Sequence, residues 1–224
     1  MSSLTVVQSK KIDLVLWIFF IITFGGLFAL SFVYVLPAED AVILYEYAKN
    51  LAKTGLITYG GGAIPIEGAT DFLWMIVIAA LKTIGINEFA SSLILNFLGL
   101  ALIASFFRKP IEKIFVGAAF LLTPFLYSSF SGFSTVFFSA VFIISIKLFF
   151  DRSKYLYISL LFLCLIRPDG VVWGAGLVLA RAFQVESSKE LRIEIQRCFV
   201  WLIVPGLLYF SWRYWYFGEF FPLP

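Results

Sequence analysis

Residues 72–84 read FLWMIVIAALKTI, bounded by Asp71 and Gly85. As a helix, this 13-residue run covers only about 20 Å of a hydrocarbon core about 30 Å thick. Whether it crosses a membrane decides the topology of everything downstream. Seven further apolar runs fall at 12–36, 89–107, 114–127, 136–150, 155–166, 171–180 and 200–217. The chain has 224 residues, 61% hydrophobic and 14% charged, against roughly 45–50% and 25% in soluble domains. This excludes an ordinary soluble domain, intrinsic disorder and a nucleic-acid-binding surface. At about 20 apolar residues per crossing, the composition supports about seven spans, one fewer than the runs on offer.

Positive charge selects the run to demote. If 72–84 lies at the outer interface and the amino terminus is cytoplasmic, 12 of the 17 Lys and Arg residues fall inside. If it crosses, only 5 of 17 do. Cytoplasmic enrichment of Lys and Arg favours the first arrangement. The expected fold is therefore all-α and polytopic, with about seven transmembrane helices in a single unit, 1–224. Two interfacial helices are expected in the first outer loop, 37–86. The first run lacks an A-x-A-like exit and reads as a retained anchor. Residues 185–196 read as a solvated cytoplasmic connector. Histidine is absent, which removes His-ligated metals and every His-based triad. Cys164 and Cys198 both sit in apolar runs, so no disulfide framework is expected.

In the outer loop, Pro37 stops the first span. The spacing of Ala41, Leu44, Tyr45, Ala48, Leu51 and Ala52 predicts a helix over 39–53. Glu39, Glu46, Lys49, Asn50 and Lys53 occupy its other faces, and Gly55 suits the position after its end. Glu39 and Asp40 sit in the first turn, where the helix dipole favours ionised carboxylates. A capping acid pair and a catalytic pair are both consistent with that placement. Asp71 reads as the N-cap of the next helix, whereas Glu67 has no such structural explanation. In Arg167-Pro168-Asp169-Gly170, Pro168 and Gly170 break an apolar segment on the same side. Arg167 either pairs internally with Asp169 or binds a phosphate bidentately. The aromatics of 212–217 read as an interfacial belt, and Arg213 among them is a cation that needs a partner.

LPAEDAVILYEYAKNLAKTGLITYGGG (36–62), IEGATDFLW (66–74), SGFST (131–135), LIRPDG (165–170) and WRYWYFGEFFPLP (212–224) occur in this order. Together they resemble GT-C-type polyprenyl-phosphate-sugar-dependent glycosyltransferases, most closely the terminal arabinofuranosyltransferase-like branch. The resemblance implies a seven-helix module and transfer of a sugar, with inversion, from a polyprenyl-phosphate donor to an acceptor hydroxyl. The acceptor would be a cell-envelope glycan or glycolipid at the outer (periplasmic or extracellular) face of the plasma membrane. Asp40 would be the catalytic carboxylate, with Glu39 beside it. Arg167, Arg213 and Lys49 would face the donor phosphate, with Lys82 a further cation on that side. Glu67 and Asp169 would support the site, and a divalent cation bridging carboxylates and phosphate is compatible with this chemistry.

Three departures stand out. Glu46 replaces an Arg, Ser134 replaces a Glu, and the sequence ends at Pro224 where related chains continue. They motivate two other expectations: a non-catalytic or truncated membrane subunit working with a partner, and a lipid-sugar transporter or flippase.

Overall fold

The computed structural model describes residues 3–60, 64–66, 68, 70–107, 109–122 and 125–218. The described residues form helices and no strands. They are α1 (Ser3–Tyr34), α2 (Glu39–Thr54), α3 (Phe72–Thr83), α4 (Glu88–Phe106), α5 (Pro110–Leu122), α6 (Phe125–Phe130), α7 (Thr135–Phe150), α8 (Leu156–Ile166), α9 (Gly170–Phe183), α10 (Ser188–Cys198) and α11 (Val204–Phe217). A π-helical turn, Phe199–Ile203, joins α10 to α11 without a break.

Among the described residues, three helical stretches are long and apolar enough to cross a membrane: Ile12–Tyr34, Glu88–Phe106 and Ser188–Phe217. This marks the chain as a membrane protein. The other apolar helices are shorter, from 11 residues in α8 to 16 in α7, or about 17 to 24 Å. Their brevity has local causes. Pro110 starts α5, and the Pro168 break separates α8 from α9.

The packing follows helical periodicity. Phe20, Phe24 and Phe28, four residues apart, form the buried stripe of α1 and meet Leu93, Leu100 and Ile103 of α4. α4 and α7 approach closely at Gly99, where an added Cβ would lie 3.3 Å from the Cα of Phe137. Small residues permit such contact between apolar helices. α8 lies at the centre, with Leu156, Leu160, Leu163 and Ile166 fully buried. The Phe32–Phe89 stack ties the end of α1 to the start of α4. The segment between them, with α2 and α3, therefore leaves and rejoins the bundle at these two neighbouring helix ends.

The far end is held by ion pairs: Lys113 with Asp13, Lys147 with Asp151, and Arg152 with Glu190. There the expectation for 185–196 is corrected in part. Ser187 caps α10 by accepting the Glu190 N–H at 3.2 Å, and Glu194 is buried. Its carboxylate accepts from Tyr157 Oη at 2.8 Å, from Arg197 at 2.8 Å and from Arg181 at 3.3 Å. Arg181 is itself buried on α9. A buried guanidinium requires a bonded counter-charge, and Glu194 supplies it: α10 docks by this one buried residue while most of its other positions remain exposed.

Candidate functional site

The site begins with how α2 is anchored. Ala38 precedes it in extended backbone and donates its N–H to the Ser131 carbonyl at 2.9 Å. This bond ties the exit of α1 to the α6–α7 turn. Gly55 closes α2 in the left-handed conformation, φ 74°. A second face of α2 is covered by the loop that follows. Asn50, expected on a polar face, is buried and donates to the carbonyls of Thr58 and Tyr59 at 2.8 and 3.0 Å. Tyr47 Oη accepts the Gly68 N–H at 3.0 Å and so holds the returning chain. A buried polar group must find a partner, and here the loop backbone supplies it.

The α6–α7 turn is positioned from two sides. Asn96 of α4, fully buried, donates to the carbonyls of Ser129 and Phe133 at 3.0 and 2.9 Å. Gly132 adopts φ +93°, and a Cβ there would fall 2.0 Å from Tyr45 Oη. Tyr45 in turn donates to Ser92 Oγ at 2.7 Å. Gly132→Ala combines backbone strain with overpacking, and it should cost about 2–4 kcal/mol. A lower melting temperature in detergent, part-recovered by adding Tyr45→Phe, is the expected result.

These anchors leave a polar cavity of about 260 Å³ at the end of the bundle. It is lined by Asp40, Ala41, Ile43 and Leu44 of α2, Gly68, Thr70 and Asp71 of the returning loop, and Trp74 of α3. Gly132, Phe133, Ser134 and Arg167 complete it. Asp40 is exposed and reaches the cavity from the first turn of α2.

Asp71 corrects the sequence reading. It precedes α3 but makes no side-chain capping bond to the helix. Its carboxylate points into the cavity and accepts from Ser134 Oγ at 2.5 Å. Burial pushes its carboxyl above the ordinary value, opposed by the Ser134 hydrogen bond and the Arg167 charge. Desolvation disfavours the charged form, so Asp71 binds a proton at a higher pH than a solvated carboxyl. Ser134, noted only as a departure from related sequences, is thus the donor that orients Asp71.

Arg167 lines the cavity while its Nε donates to Asp169 at 3.0 Å. Its guanidinium lies over the Phe138 ring, 5.8 Å from the centroid. The internal pair and the cavity-facing placement therefore coexist. Among the described residues, the lining includes neither Glu39, Lys49 nor Arg213. Lys49 is paired with Glu46 at 3.0 Å and Lys82 with Glu88 at 3.2 Å. Arg213 is buried in α11, away from this cavity. Glu67 lies outside the described residues.

The aromatic belt is also corrected in part. Trp212 stacks on Tyr216 with centroids 5.3 Å apart, and Tyr216 Oη accepts the Ile57 N–H at 2.9 Å. Both rings pack on the outer loop, while Trp215 is exposed. Among the described residues, no group of three His, Cys, Asp or Glu side chains is arranged to hold a metal ion. Comparison of the chain with protein-family models, curated proteins and solved structures finds no match.

Proposed function

We propose that this cavity is the active site of a membrane glycosyltransferase that moves a sugar from a polyprenyl-phosphate donor to an acceptor hydroxyl. One observation carries the reading. Residues 40, 71, 134 and 167, far apart in sequence, bring two carboxylates, a hydroxyl and a guanidinium into one polar cavity at the end of an apolar bundle. Asp40 takes the acceptor proton as the new C–O bond forms at the anomeric carbon. The bond to the phosphate oxygen breaks, and the phosphate leaves with the electron pair. Arg167 stabilises that growing charge.

An apolar groove of about 520 Å³ between α8, α9 and α11 suits the isoprenoid tail. It ends at Tyr209, whose ring meets Phe72 at 4.9 Å, next to Asp71. Two of the departures noted in the sequence are absorbed locally, Glu46 by Lys49 and Ser134 by Asp71, which favours an intact site over a remnant.

About seven crossings fit this reading, with the amino terminus cytoplasmic and the cavity at the outer face of the plasma membrane. What supports them is the alternating course of α1, α4, α5 with α6, α7, α8, α9 and the α10–α11 helix between the two ends. Glycan or glycolipid is the acceptor class.

The test is turnover by the purified chain in vesicles, with a panel of prenyl-phosphate-linked sugars and product detected by mass spectrometry. Arg167→Ala should lower kcat/KM about 10- to 100-fold, the worth of a charge-assisted hydrogen bond. Lys49→Ala should leave it unchanged. An absence of both transfer and donor binding across the panel overturns the assignment.

A further inference from the structure

The cavity carries more negative than positive charge. Among the described residues lining it, Asp40 and Asp71 are acids and Arg167 is the cation, and Arg167 already bonds Asp169. A phosphodiester docking on Arg167 adds another anion within reach of two carboxylates. Like charges sharing a desolvated site cannot all remain ionised.

The two carboxylates are placed differently. Asp40 is exposed in the first turn of α2, where the helix dipole favours the anion. Asp71 is half-buried against groups from three directions. Ser134 donates from the α6–α7 turn, and Thr70 donates from its own loop at 3.4 Å. Arg167 and Asp169 act on it with opposite sign from the α8–α9 break. Burial already biases this carboxyl toward its neutral form. Its bond from Ser134 engages one oxygen, Oδ2, and survives protonation of the other.

We propose that a lipid phosphodiester enters this cavity together with one proton, carried by Asp71, whose neutral carboxyl donates a hydrogen bond to a phosphate oxygen beside Arg167. This rests on the phosphate-binding reading above and extends it. The two carboxylates then divide the work: Asp40 is left to accept the acceptor proton, while Asp71 offsets the charge of the donor.

The experiment is calorimetric titration of the full chain in detergent with a geranylgeranyl methyl phosphodiester, whose single charge does not change across the neutral range. Measurements in buffers of different ionisation enthalpy count the protons taken up. Wild type should take up close to one, with affinity falling by up to about tenfold per pH unit as pH rises between the free and bound titration points of Asp71. Asp71→Asn should bind with no pH slope, because the amide donates without titrating. Ser134→Ala removes a bond to the anion and should move the window to higher pH. Proton uptake that persists in Asp71→Asn, or wild-type binding indifferent to pH, overturns the proposal. Binding that is lacking at every pH, or unaffected by Arg167→Ala, would instead fail the phosphate site itself and the proton with it.

Discussion

Asp40→Asn should abolish the proposed sugar transfer while leaving the fold intact. The substitution preserves the shape of the side chain and removes its capacity to accept a proton. Loss of a positioned general base costs about 10²- to 10⁴-fold in rate. The structural cost is small by comparison. Asp40 is exposed and makes no capping hydrogen bond, so what is lost is its favourable interaction with the α2 dipole, about 0.3–1 kcal/mol. The melting temperature should therefore barely move.

Glu39 provides the control. It is one residue away, equally exposed and in the same helical turn, yet among the described residues it is not part of the cavity lining. Glu39→Gln should retain transfer. The pair separates a catalytic carboxylate from a merely capping acid pair, since capping predicts equal small effects at both positions. Normal turnover by Asp40→Asn in vesicles supplied with lipid-linked sugar would sink the assignment of the base.

Gly170→Ala should disrupt the fold at the α8–α9 break, and Gly176→Ala should not. A Cβ at Gly170 would lie 2.2 Å from the Leu163 carbonyl oxygen and 2.6 Å from its carbon. Both are backbone atoms of the preceding helix, so no side-chain rotation relieves the overlap. Overpacking of this kind costs about 3 kcal/mol or more, and the break must shift to accommodate it. Arg167 and Asp169 sit on that break, so donor affinity should fall with stability. At Gly176 of the same helix nothing lies within 4 Å of an added Cβ. Alanine there should stabilise the helix by up to about 1 kcal/mol. Thermal denaturation of both variants in detergent checks the contrast. A Gly170→Ala protein that melts with wild type would contradict the close approach of α8 and α9.

Several parts of this architecture were legible in the linear chain because they rest on local or averaged properties. Helix α2 was placed to within a residue, since its apolar spacing and Gly55 are local signals. Asp40 and Arg167 were singled out as charges beside apolar runs, where ionisable groups are costly, and both line the cavity. Other positions misled for a common reason. Glu194 looked solvated because its partner Arg181 lies on another helix. Asp71 looked like a cap because it precedes a helix, although its hydrogen-bond donor Ser134 is 63 residues away.

Composition and periodicity by themselves determined an all-helical membrane chain, and singled out Asp40 and the Arg167 break, which line one cavity. Burial and net charge are properties that a segment carries with it. Which of those charges meet was decided only by the tertiary structure. The partners of Asp71, Asn96 and Glu194 depend on how α3, α4, α7, α8, α9 and α10 stack. A buried polar group is satisfied by whatever donor the packing brings within about 3 Å, and no spacing along the chain encodes that encounter.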